Sequence, residues 1–213
     1  LNRKEEEKEK NTVLWVLAII GAVAADENNS LFDPAVLDEI SKMKEKNIAV
    51  EILKKLMAEQ VSLYKRTNVV QSQKFSEKIA QLMNSYYNGL ITNEEVIKEL
   101  LKMAQELKAN AEQASELGLT EEEQAFYDAL TKPQAVRDFY ENDQLVAMAK
   151  ELTEALRSSK TIDWRQKESA RAKMRSLVKR LLKKYKSPPE EQEAALETVI
   201  RQCELYADSD DES

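Results

Sequence analysis

Glycine occurs three times in 213 residues, at Gly21, Gly89 and Gly118, and proline four times, at Pro34, Pro133, Pro188 and Pro189. Sheets of short strands need a turn every few residues, and those turns draw on positive-φ glycines and φ-fixed prolines. A chain with so few of them cannot reverse direction often. Its Ala, Leu, Glu, Lys and Gln are the residues that lose least on entering a helix. The fold class expected is all-α, with about nine helices packed as one or two orthogonal or antiparallel bundles. A hydrophobic content of 42% supplies a core, which excludes a disordered chain.

Several helix ends are written in local chemistry. Asp33-Pro34 places a capping side chain before a proline at the first helical position, and Leu37, Ile40 and Met43 follow at helical spacing. A second helix is predicted from about Asn47 to Tyr64. Phe75, Ile79, Leu82, Met83, Tyr86 and Tyr87 form a stripe of period 3.6 that stops at Asn88-Gly89. Thr92-Asn93-Glu94-Glu95 and Thr120-Glu121-Glu122-Glu123 both have the form of a capping box, with Gly118 ending the first of the two helices. Pro133 begins a short piece, and a helix from about Asn142 buries Leu145, Val146, Met148, Ala149, Leu152 and Leu156. Ser158 to Thr161 is a predicted loop. Asp163 with Gln166 opens a further helix that ends before Ser187-Pro188-Pro189. The last helix presents Ala195, Leu196, Val199, Ile200 and Cys203. The acidic residues from 207 to 213 are predicted to be a disordered tail.

Catalytic chemistry finds little to work with. Histidine is absent, which removes the commonest general base and metal ligand. Cys203 is the single cysteine; with no partner for a disulfide or a zinc site, it reads as a small core residue and suits a reducing, cytoplasmic compartment. Three scattered glycines cannot make a P-loop or a dinucleotide fingerprint. Adjacent acids such as Glu94 with Glu95, or Glu121 with Glu122, diverge by about 100° on a helix and belong to dipole-stabilised first turns. Glu106 and Lys108 match a nuclease-like spacing only within a helix. No residue is assigned to catalysis, to a cofactor or to a metal. The apolar run Val13–Ala25 is too short to span a bilayer and lacks a plainly positive leader, so it is expected to be a core helix with no membrane involved. Because the chain begins at Leu1, it is expected to be a fragment or a processed product.

One segment departs from the acidic background. From Arg165 to Lys186 there are ten basic residues and one acid, Glu168. The segment carries +9 in a chain of net charge −7, leaving −16 for the remainder. On a helical wheel Trp164, Ala170, Met174, Leu177, Val178, Leu181, Leu182 and Tyr185 share one arc. Arg171 falls at its edge, where it is expected to pair with an acid of a neighbouring helix. The other cations either neutralise the domain's own acids or track a phosphate backbone or an acidic partner surface. Arg175, Lys179, Arg180, Lys183, Lys184 and Lys186 are the candidate partner-binding or DNA-binding face. No aromatic residues interleave with them, which argues against single-strand stacking.

Four groups of residues, in order along the chain, resemble the C-terminal helical domain of the restriction (R) subunit of type I restriction–modification enzymes. They are Asn47-Ile48-Ala49-Val50-Glu51-Ile52-Leu53-Lys54-Lys55-Leu56; Asn68-Val69-Val70-Gln71-Ser72-Gln73-Lys74-Phe75-Ser76-Glu77 with Tyr86-Tyr87-Asn88 and Val96-Ile97-Lys98-Glu99-Leu100; Leu117-Gly118-Leu119-Thr120-Glu121-Glu122-Glu123 with Ala125-Phe126-Tyr127-Asp128-Ala129-Leu130; and Asp163-Trp164-Arg165 with Arg171-Ala172-Lys173-Met174-Arg175 and Leu181-Leu182-Lys183-Lys184-Tyr185. The resemblance covers residues 31–206 as one helical domain, with 1–30 leading in from missing upstream domains. It implies an assembly role: docking the ATP-dependent motor and the nuclease of the parent enzyme onto the methyltransferase (M) subunit, with DNA nearby. ATP and Mg belong by resemblance to the parent enzyme, and neither ATPase nor nuclease activity transfers to this chain. Phe75, Phe126, Tyr127 and Trp164 read as core, and Lys74, Glu77 and Asp128 as partners in interhelical pairs.

Overall fold

In a computed structural model, the described residues are Leu14, 34–158, 167–185 and 189–210. Among them nine helices run through residues 34–210, and there is no strand. The helices are α1 (Pro34–Lys42), α2 (Lys46–Thr67), α3 (Val69–Tyr87), α4 (Asn93–Glu116), α5 (Glu121–Thr131), α6 (Gln134–Phe139), α7 (Asn142–Ser158), α8 (Lys167–Lys184) and α9 (Pro189–Asp210). The chain is all-α. None of these helices is long and apolar enough to cross a membrane. The Val13–Ala25 segment, the Asp33 cap, the Asp163–Gln166 helix start, Trp164 and Lys186 lie outside the described residues, Leu14 alone excepted.

Helix ends follow the local signals. Thr120 Oγ1 accepts from the Glu123 amide at 3.3 Å, and the Glu123 carboxylate accepts from the Thr120 amide at 2.9 Å. Thr92 and Glu95 make the same reciprocal pair, which holds the Glu95 carboxyl below its usual range. At the other ends Gly89 and Gly118 adopt φ of 69° and 60°. Leu90 N–H then reaches Ser85 O at 2.9 Å and Leu119 N–H reaches Ala114 O at 3.0 Å, closing two Schellman motifs. The predicted tail begins as helix instead, because no glycine or proline interrupts α9 before Asp210; residues 211–213 are not described.

The chain divides into two compact units: Leu1–Glu59 with Lys78–Ala109, and Gln60–Glu77 with Asn110–Ser213. In the first unit, Leu37, Ile40, Leu53, Leu56, Met57, Met83, Val96 and Leu100 fill the core. The aromatic end of the α3 stripe departs from the expected pattern. Tyr87 is 62% exposed and its hydroxyl accepts from Lys54 Nζ at 2.9 Å, since the last turn of a helix has one fewer turn to pack against. In the second unit, α5, α7, α8 and α9 enclose Phe126, Leu130, Met148, Leu152, Met174, Leu182, Val199 and Cys203. Val146, expected in this core, is only half-buried. Tyr127 lies at its edge, with its hydroxyl donating to Asn142 Oδ1 at 2.7 Å.

Candidate functional site

Helix α8 contains no glycine or proline, carries Glu168 in its first turn and Lys183 and Lys184 in its last, and so agrees with its own dipole at both ends. Ala170, Met174, Val178, Leu181 and Leu182 are buried against the second-unit core, with Leu177 and Tyr185 half-buried beside them. Burying one arc leaves two flanks and an outer face, and the charges sort accordingly.

On one flank Arg171 Nε meets Glu204 Oε1 at 2.6 Å and Arg175 meets Glu197 at 3.3 Å, both acids belonging to α9. On the other flank Lys184 Nζ donates to both oxygens of Glu151 on α7 at 2.7 Å, and the Tyr185 hydroxyl donates to the same carboxylate at 3.1 Å. The hydrogen bond with Glu151 raises the Lys184 pKa, and Lys184 in turn lowers that of Glu151. These pairs are exposed, so each contributes little to stability, but they fix which cations face inward.

The six candidate residues therefore part company. Arg175 and Lys184 are tied to the domain's own acids, while Lys179, Arg180 and Lys183 are exposed and have no ion pair among the described residues. Lys173, not among the candidates, is exposed on the same face and likewise unpaired among the described residues. Its wheel position, about 20° from Arg180 at about 100° per residue, is the signal that locates it.

A second polar constellation joins α3, α5 and the α2–α3 turn. Asn68 Nδ2 and Gln71 Nε2 donate to Asp128 Oδ2, and Gln124 Nε2 donates to Oδ1, each at 2.8 Å. Burial pushes the Asp128 carboxyl above the usual range, and the three amide bonds pull it back only in part. Nearby, Gln202 of α9 accepts from Val69 N–H at 2.9 Å and donates to Thr67 O at 2.7 Å. The expected interhelical role of Asp128 is met by amides; Glu77 instead accepts from Gln73 of its own helix. The Asp128 constellation thus spends its polar groups on holding helices together.

The adjacent acids are used in the same way. Glu95 caps α4, and Glu122 pairs with Arg157. Glu106, in the nuclease-like spacing, receives Lys78 Nζ at 2.7 Å inside a helical pair. Among the described residues no group of three or more Cys, Asp or Glu could hold a metal ion. Cys203 is fully buried, and burial pushes its thiol pKa far up.

Such an arrangement defines an all-α domain whose polar residues organise helices and leave one cationic face outward. The chain belongs to the family described as type I restriction enzyme HindI endonuclease subunit-like, C-terminal, whose model matches residues 13–209. It is 38% identical over 179 residues to the type I restriction enzyme HindI endonuclease subunit of Haemophilus influenzae, covering 84% of this chain and 17% of that one. It is 31% identical over 156 residues to a chain of Methanocaldococcus jannaschii named as the putative type I restriction enzyme MjaIXP endonuclease subunit, covering 73% of this chain and 15% of that one. The chain thus spans about a sixth of the length of these curated relatives. No solved structure matches it.

Proposed function

We propose that the domain is the assembly module of a type I restriction endonuclease subunit, docking that subunit onto the methyltransferase core of the DNA restriction complex. The observation that carries this reading is the match to a C-terminal family model across residues 13–209, in a chain that aligns with only 17% of its relative's length. In such a subunit the motor and nuclease would occupy other parts of the polypeptide, and ATP and Mg would be bound there. The polar constellations support an assembly role, since they stiffen the contacts between helices. A cytoplasmic location follows from a role on DNA with partner subunits.

Size-exclusion chromatography of the chain mixed with a purified methyltransferase–specificity core tests the proposal. Co-migration is expected, and the chain should compete with the full-length endonuclease subunit for the core. Separate elution under conditions in which the full-length subunit binds would overturn it.

A further inference from the structure

Three cations of α8, Arg171, Arg175 and Lys184, are paired with acids of neighbouring helices. Lys173, Lys179, Arg180 and Lys183 are not, among the described residues, in a chain with 39 acids against 32 bases. At about 100° per residue the four occupy an arc of about 120°, and at about 1.5 Å per residue they extend about 15 Å along the axis. Lys179, Arg180 and Lys183 cluster within one turn, and the helix's own acid, Glu168, lies about 16 Å away at the opposite end.

What lies between the cations narrows the occupant. Ser169, Ala172 and Ser176 are the exposed residues sharing the arc, and all are small. Protein interfaces draw their energy from large aromatic and aliphatic anchors and are depleted in lysine at their centres; this arc has no such anchor. Small residues between long cationic ones let a polyanion backbone approach closely. Tyr185, just past the end of α8, faces the opposite flank with its hydroxyl on Glu151, and among the described residues of α8 no ring shares this arc to stack on an unpaired base.

We propose that this arc binds the phosphate backbone of duplex DNA, through Lys179, Arg180 and Lys183 with Lys173 at the margin. The contact is independent of sequence and independent of the docking role. Its strength follows from counterion release: three to four neutralised phosphates give a slope of about −2.7 to −3.6 in log K against log salt, hence about 40- to 150-fold weaker binding at 200 than at 50 mM.

Fluorescence anisotropy of a labelled duplex titrated with the whole chain reads this directly. The expected result is duplex binding with that slope, abolished in Lys179→Glu/Arg180→Glu/Lys183→Glu. The neutral triple Lys179→Gln/Arg180→Gln/Lys183→Gln should retain a slope of only about −1, that of Lys173 alone. A control of equal charge change, Lys44→Glu/Lys65→Glu/Lys98→Glu, should keep most of the binding, and circular dichroism should show all variants equally helical. Absence of duplex binding at 50 mM salt, a flat salt dependence, or equal loss in the control would overturn the proposal. So would tighter binding to oligo(dT) than to duplex. If the reversal instead abolishes co-migration with the methyltransferase core while no duplex is bound, the arc is a protein-docking face and the proposal fails. Duplex binding without co-migration would overturn docking alone.

Discussion

Replacing Asp128 with alanine is expected to destabilise the second unit by about 3–5 kcal/mol, since a stranded buried donor costs about 1–3 kcal/mol. Three amide donors would lose their acceptor: those of Asn68 and Gln71, which are 5% and 8% exposed, and that of the half-buried Gln124. Water reaching Gln124 keeps the total below three full penalties. Asp128→Asn separates hydrogen bonding from charge. The remaining oxygen still serves Asn68 and Gln71, and the new Nδ2 faces Gln124, whose Oε1 has no hydrogen-bond partner among the described residues and can turn to accept it. A cost below about 1 kcal/mol is expected, because the shape is kept and a desolvated charge is removed. The pH dependence has a definite sign. Burial raises the native carboxyl pKa, so between the unfolded and native values the native state holds a proton the unfolded chain has lost, and stability falls as pH rises. Asp128→Asn lacks this loss and should gain on the parent protein as pH rises from the acid side of the carboxylate range towards neutral. Urea unfolding followed by far-ultraviolet circular dichroism at several pH values measures each term. An alanine variant within about 1 kcal/mol of the parent, or an asparagine variant as unstable as alanine, would refute the reasoning.

Two further outcomes follow from local geometry. Thr120→Ala removes the hydroxyl arm of the α5 capping box, leaving the amide of residue 120 to donate to Glu123, and should cost about 1 kcal/mol, a fall of about 2–4 °C in Tm, whereas Thr120→Ser should be close to neutral; an unchanged Tm for the alanine variant would contradict the cap. Cys203, buried with its thiol pKa raised by that burial, should resist a thiol-directed reagent at neutral pH in the native protein and react promptly in denaturing urea. Fast native labelling would show that α9 does not pack as described.

Features visible in the sequence are those whose physics is local. A capping box needs residues three apart, and a Schellman glycine needs only its own positive φ, so the roles of Thr92, Thr120, Gly89 and Gly118 are legible from the order of residues alone. Buried stripes are nearly as legible, and Phe75, Phe126, Met148, Leu182 and Cys203 are all buried. The Asp128 latch is not, because its donors at Asn68 and Gln71 lie 60 and 57 residues away and nothing in their spacing brings them to α5. The same holds for the cations of α8. A wheel separates an apolar arc from a charged one, but which cations are neutralised depends on Glu151, Glu197 and Glu204 arriving from α7 and α9. Arg171 is legible only because its place at the edge of the apolar stripe requires a partner.

Stability does not account for the outer arc of α8. Exposed pairs are worth at most about 1 kcal/mol each, so a selection for folding alone would be nearly indifferent to what stands at Lys173, Lys179, Arg180 and Lys183. Glutamine at these positions would keep the helix propensity. It would also relieve cation–cation repulsion among three residues within one turn. The flank residues are different, since Arg171, Arg175 and Lys184 each connect α8 to a neighbour. A helix whose inward cations serve the fold, and whose outward cations the fold scarcely needs, points to an anionic surface outside the chain. Triple replacement by glutamine at Lys179, Arg180 and Lys183 should accordingly leave the melting temperature nearly unchanged, while most of the binding to that surface is lost.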